Sequence, residues 1–246
     1  MKRGFDVILF DGGDTLFYFD GDMEKVLQEC NLALVKFVAR TYPKLNAPHF
    51  LAAFEERMNL YYRERESEFI EHTTAYILKS SLAEWGYDLP PQTFIDQAVE
   101  TMYRVSQAHW IPETDAQPTL AELRQRGYRL GVASNAADDQ NVRSLIEKSG
   151  VHPYLDVIVT SAAVGIRKPN PRIFQAALAH WGDILPGRAA MVGDSLGADI
   201  LGAHNAGLFG IWLTRRADTP GNRDHLDTIR PDTQADTLSE LLNLFI

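Results

Sequence analysis

From about residue 117 onward the chain alternates short apolar runs with helical segments that stop on glycine, and few architectures accommodate that alternation. The runs "YRLGVAS" (128–134), "LDVIVTS" (155–161), "AAMVG" (189–193) and "LFGIWL" (208–213) are apolar nearly throughout. Strands of a parallel sheet covered on both faces have this character. Between them, "TLAELRQRG", "DQNVRSLIEKSG", "NPRIFQAALAHWG" and "SLGADILGAHNAG" end at Gly127, Gly150, Gly182 and Gly207. Glycine suits the left-handed turn that closes a helix. Asn170 followed by Pro171 is a start signal, a capping side chain and then proline in the first turn. Strand and helix in alternation imply right-handed crossovers and an α/β fold with a doubly wound parallel sheet. Residues 5–10 read as a further strand of the same sheet.

That strand is separated from the others by an insertion of different texture. Residues 20–108 read as an all-helical domain, and 1–19 with 109–246 as the α/β core. Within the insertion, amphipathic helices are expected near 23–41, 48–66, 69–85 and 92–108, broken at Tyr42-Pro43, Gly86 and Pro90-Pro91. Its aromatics Phe37, Phe50, Phe54, Tyr61, Tyr62, Tyr76, Trp85, Phe94 and Tyr103 are expected to form the bundle core.

The chain of 246 residues is 45% hydrophobic and 23% charged, ample for a packed core without staples. Cys30 is the only cysteine, which excludes an internal disulfide and fits a reducing cytoplasm. The apolar run in "MKRGFDVILF" is too short for a signal peptide, and no window reaches the roughly 20 apolar residues of a membrane span. A net charge of −9 gives no electrostatic reason to bind nucleic acid or an anionic membrane. A cytoplasmic protein with a small-molecule partner is the expectation.

In open α/β sheets, chemistry sits beyond the carboxyl ends of the strands. Those positions hold Asp11-Gly12-Gly13-Asp14-Thr15, then Ser134-Asn135, then Arg167-Lys168-Pro169, then Gly193-Asp194-Ser195 with Asp199 farther on. Each has a plain structural explanation: an Asx turn, a loop turn, a solvated lysine, a helix cap. Four such groups on one edge of one sheet form a phosphate site with a metal. The absence of a G-x-x-x-x-G-K run excludes a P-loop kinase.

"FDGGDTL", "VASN", "IRKPNPRIF" and "VGDSLGADILGAHNAG" together resemble the four motifs of the haloacid dehalogenase superfamily, in order and over essentially the whole chain. The resemblance implies a helical cap inserted after the first motif and a phosphatase that works through an aspartyl-phosphate. Asp11 would be the nucleophile. Mg²⁺ would be held by Asp11, Asp194 and a backbone carbonyl at Gly13, with Asp199 acting from outside the first ring of ligands or through a water. Ser134 and the Asn135 amide would grip phosphate oxygens, Lys168 would supply fixed positive charge, and Thr15 would brace the loop. Gly12 would let backbone pass close to phosphate and metal. The substrate would be a small phosphorylated metabolite.

Gly13 departs from the pattern. Phosphatases of this family usually place a second aspartate there as general acid and base, and losing such a group typically costs about 10²–10⁴-fold in rate. Asp14, one residue out of register, is expected to project elsewhere. The cap would choose the substrate, with Arg63, Arg65 and His72 either facing the site or forming a solvated helix face. His109 and Trp110 read as hinge packing. Two other readings stay open: a binding or regulatory protein with a crippled site, or a haloacid dehalogenase, whose chemistry needs no metal. Phosphonate-carbon cleavage would call on a cap lysine, for which Lys36, Lys44 and Lys79 are candidates by type only.

Overall fold

The computed structural model describes residues 4–182 and 184–245; Lys2 and Arg3, read above with the N-terminal run, lie outside them. In chain order the strands are β1 (Val7–Phe10), β2 (Phe17–Phe19), β3 (Trp110–Pro112), β4 (Arg129–Ser134), β5 (Val157–Thr160), β6 (Ala189–Gly193), β7 (Phe209–Leu213) and β8 (Thr233–Ala235). Six of them form one sheet of order β5-β4-β1-β6-β7-β8, and each neighbouring pair runs parallel. Every residue of β1 is fully buried, as four consecutive apolar side chains require at the centre of a sheet covered on both faces. The fold is thus α/β with a doubly wound parallel sheet. Strand β8 was not anticipated: "TQA" is too short and polar to stand out, and pairing to β7 makes it a strand.

The chain divides into two compact units, Met1–Tyr18 with Ile111–Ile246, and Phe19–Trp110. In the second lie α1 (Met23–Thr41), α2 (Ala47–Glu68), α3 (Thr74–Glu84) and α4 (Gln92–Gln107). Asp22, Asn46 and Thr73 each cap the helix that follows, accepting a hydrogen bond from a backbone N–H three residues on. The third helix starts five residues later than the expected 69. Phe69 takes a left-handed φ of 53° that closes α2, and in the link that follows buried Glu71 accepts a hydrogen bond from the Tyr61 hydroxyl. Phe50, Phe54 and Tyr61 are buried in the bundle, whereas Tyr76 is 56% exposed, contrary to expectation, because its position on α3 stacks it on His72 rather than turning it inward. His109 packs on Phe19 with its Nδ1 3.0 Å from the Asp20 carbonyl, and Trp110 meets Phe19 edge to face. Strands β2 and β3, a separate two-stranded ribbon, carry the chain out and back.

In the first unit the helices are α5 (Ala116–Gln125), α6 (Asp139–Lys148), α7 (Ser161–Val164), α8 (Pro171–Leu178), α9 (Leu201–Ala206), α10 (Pro220–Arg223) and α11 (Leu241–Leu244). Gly127, Gly150, Gly182 and Gly207 all have positive φ, as the stop signals require. One face of the sheet packs Val7, Leu9 and Met191 against Ile173, Phe174 and Ala177 of α8 and Ala203 of α9. The helix expected from Ser195 begins instead as a π-helical turn, Leu196–Ile200, in which the Ser195 carbonyl accepts both the Asp199 N–H (2.8 Å) and the Ile200 N–H (3.2 Å). Among the described residues no helix is long and apolar enough to cross a membrane.

Candidate active site

The chain runs from β1 outward through β4 to β5, then returns to the other side of β1 at β6. Strand order reverses there, which leaves a crevice beyond the carboxyl ends of β1 and its neighbours. Asp11 follows β1, and its N–H reaches the Val192 carbonyl at 2.9 Å, extending the β1–β6 ladder by one bond. Asp194 follows β6 directly, and Ser134 ends β4 on the opposite flank. Adjacent parallel strands therefore deliver these groups to one edge.

Lys168 arrives from the loop before α8 and is buried, with 3% of its surface exposed. Its Nζ donates to Asp11 Oδ1 at 2.7 Å and to Asp199 Oδ1 at 2.6 Å. The other Asp199 oxygen accepts the Ser195 N–H at 2.9 Å, so this carboxylate is committed on both sides. The π turn makes that possible by winding Asp199 back over Gly193. A Cβ on Gly193 would lie 2.3 Å from the Asp199 carboxyl, so only glycine leaves the path open. The Asn135 side chain binds the Lys168 main chain twice, accepting from its N–H at 2.7 Å and donating to its carbonyl at 3.1 Å. An oxyanion contact at residue 135 is thereby left to the backbone N–H.

Oxygens of Asp11, Asp194 and Asp199 all lie within 4.8 Å of one another. Burial works against the Lys168 ammonium, but the Asp11 and Asp199 carboxylates outweigh it and raise its pKa. Burial pushes the Asp199 carboxyl up to about 6, with Lys168 opposing the rise. Asp194 is driven well above the ordinary carboxylate range by burial and by the charges of Asp199, Asp11 and Asp14. Three carboxylates facing one ammonium leave uncompensated negative charge among hard oxygen donors, which is what a small divalent cation such as Mg²⁺ binds.

The loop between Asp11 and β2 differs in detail from what was expected. Gly12 is required by its neighbours within the fold: a Cβ there would meet the Phe17 ring at 2.9 Å and the Ser134 hydroxyl at 3.1 Å. Thr15 is fully buried and its hydroxyl has no hydrogen-bond partner among the described residues. The bracing comes from main chain instead, the Leu16 N–H meeting the Gly12 carbonyl at 2.8 Å. Asp14, with a φ of 55°, adds its charge to those that raise Asp194. In the helical unit, Arg65 lies over the Tyr62 ring at 4.7 Å, while Arg63 is exposed.

Two groups with no precedent in the motif pattern hold the Asp194 turn. Its carbonyl accepts from the Trp212 indole Nε1 and from Asn222 Nδ2, each at 2.8 Å. The sequence signals were present but weak: an indole at the end of an apolar strand, and Thr219-Pro220 opening a short helix.

Residues 5–207 match the family model of haloacid dehalogenase-like hydrolases. A glyceraldehyde 3-phosphate phosphatase of Methanothermobacter thermautotrophicus is 41% identical over 142 residues, 57% of this chain and 62% of that protein. The chain thus spans about three-fifths of that curated relative. The pyrimidine 5'-nucleotidase YjjG of Escherichia coli is 26% identical over 97% of both chains. Among solved structures, a 2-haloacid dehalogenase from Pseudomonas syringae pv. Tomato superposes with a TM-score of 0.68 at 25% identity, covering 98% of this chain and 97% of that one.

Proposed function

The chain belongs to the haloacid dehalogenase-like hydrolases, and from that premise we propose that it is a Mg²⁺-dependent phosphatase acting on a small phosphorylated metabolite through an aspartyl-phosphate at Asp11. The observation that carries this reading is Lys168 Nζ seated between Asp11 and Asp199, with Asp194 beside them. An anionic nucleophile meets an anionic phosphoryl group only where charge is cancelled in advance.

In the proposed reaction an Asp11 oxygen attacks phosphorus and the bond to the leaving oxygen breaks. Water then attacks the aspartyl-phosphate at phosphorus, releasing phosphate and restoring the carboxylate. Lys168 fixes Asp11 and offsets part of the incoming charge, while the Ser134 hydroxyl and the Asn135 N–H hold equatorial oxygens. Asp11, Asp194 and the Gly13 carbonyl would hold the cation, with Asp199 orienting Lys168 and the turn behind them. The cation would neutralise the nucleophile and phosphate as they approach. Gly13 supplies no proton to the leaving group, so that proton comes from solvent or from the substrate. The helical unit acts as the cap that selects the substrate, in a cytoplasmic setting. Named relatives act on a triose phosphate and on nucleotides, which share only the phosphoester, and the proposal is held to that class.

Asp11→Asn should abolish Mg²⁺-dependent phosphate release from a phosphomonoester panel, and a chelator should do the same to the wild type. Undiminished release from the variant would overturn the reading. Gly13 favours one alternative, since displacement of halide from carbon by Asp11 needs no leaving-group acid. Halide release from a 2-haloacid in the presence of chelator, without phosphate release, would establish it.

A further inference from the structure

Asn222 and Trp212 occupy an unusual position relative to the proposed cation site: both donate to the main-chain oxygen of a candidate metal ligand. Asn222, on α10, is 3% exposed, and its side chain is fully engaged. Its Oδ1 accepts the Leu196 N–H at 2.7 Å, and its Nδ2 donates to the Asp194 carbonyl at 2.8 Å and the Ala217 carbonyl at 2.9 Å. One amide thus clasps both ends of the turn leaving β6 to the segment that follows β7. The Trp212 indole, on β7 opposite Gly193, adds the second donor at 2.8 Å. Trp212 is itself wedged against Leu196, Ile200 and Ile229.

This double grip has a physical purpose if the turn must resist a load. The Asp194 carboxylate lies within 4.8 Å of those of half-buried Asp11 and buried Asp199, and their mutual repulsion favours any movement that lets it swing away. A peptide plane fixed by two donors keeps the carboxylate in place before a cation arrives, so binding need not pull the turn back. We infer that Asn222 and Trp212 are positioning residues that preorganise Asp194 for the divalent cation by fixing its carbonyl. The inference rests on the cation site proposed above.

Direct titration of the apo-protein with Mg²⁺ by calorimetry tests it without reference to turnover. Asn222→Ala should weaken Mg²⁺ about 10–100-fold, the usual effect of removing an outer partner of a metal ligand. Trp212→Phe, which deletes one donor and keeps a ring, should shift affinity in the same direction by less. Leu241→Ala, a buried truncation on α11, serves as the control for lost stability and should leave affinity unchanged. Wild-type Mg²⁺ affinity in Asn222→Ala overturns the inference. Should that variant fail to fold, unchanged affinity in Trp212→Phe does so. No Mg²⁺ binding by the wild type would instead remove the site on which the inference stands.

Discussion

A side chain one carbon larger at residue 193 would strike the Asp199 carboxyl at 2.3 Å. Gly193 ends β6, whose backbone is fixed by pairing on both flanks, so the carboxylate rather than the strand would have to yield. Displacing Asp199 removes one of the two acceptors of Lys168 Nζ and disturbs the ammonium that fixes Asp11. Gly193→Ala should therefore lower kcat by about 10²-fold, the scale set by misplacement of about 1 Å in a catalytic group. Circular dichroism should show the fold retained. A variant with normal turnover would show that Asp199 does not position Lys168. Asp11 and Asp194 were legible in the sequence because each follows a strand, Lys168 because it precedes a helix, and Asp199 because it lies about one helical turn beyond Asp194 in the same motif. Gly193 was legible only as part of a motif, since the need for glycine arises from a carboxylate six residues later that folds back over it. Asn222 had only the weak helix-start signal of Thr219-Pro220 beside it for a similar reason: its partners are main-chain atoms of Asp194, Leu196 and Ala217, which no residue pattern encodes.

Elements set the spacing that residues exploit. Helices α8 and α9 pack closely because α9 presents Gly202, where a Cβ would meet the Phe174 ring at 2.8 Å and the Pro169 Cα at 3.1 Å. Pro169 follows Lys168, so this contact also fixes the loop that delivers the ammonium to the site. Gly202→Ala should destabilise the protein by about 1–3 kcal/mol, the cost of overpacking a tight core, read as a lower midpoint in urea unfolding with m unchanged. An unchanged midpoint would mean that the ring moves aside freely. Core strands and their glycine-stopped helices were readable because apolar runs and left-handed turns are local signals. The π turn at 196–200 was not, because "SLGADILGAHNAG" has ordinary helical periodicity and the wider winding depends on the Asp199 carboxylate binding the Ser195 N–H. Tyr76 and the late start of α3 were misread for a related reason. The Tyr61–Glu71 contact at that corner ties α2 to the link that follows it, and periodicity within one segment does not record it.

For the molecule as a whole, the site is where stability is spent. With no cation bound, Asp199 titrates in the folded protein near 6, above its ordinary 3.8, because burial disfavours the charged form. Between those two values the folded state holds a proton that the unfolded chain has released. The contribution of this group to stability is therefore greatest at low pH and falls as pH rises through that window, and the raised Asp194 acts in the same direction. A divalent cation at the proposed site would reverse the situation, because it would bind the deprotonated carboxylates and cancel the repulsion that burial amplifies. Saturating Mg²⁺ should raise the unfolding free energy at pH 7.5 by the mass-action increment, about 2.7 kcal/mol at a hundred times Kd, and the thermal midpoint with it. That increment should shrink steadily as pH drops below 6, where protons compete for the same oxygens. Scanning calorimetry at matched ionic strength, with Mg²⁺ or with chelator, measures the difference directly. An increment that stays constant from pH 8 to pH 5, or grows toward acid, would show that the cation binds somewhere other than the cluster at the ends of β1 and β6.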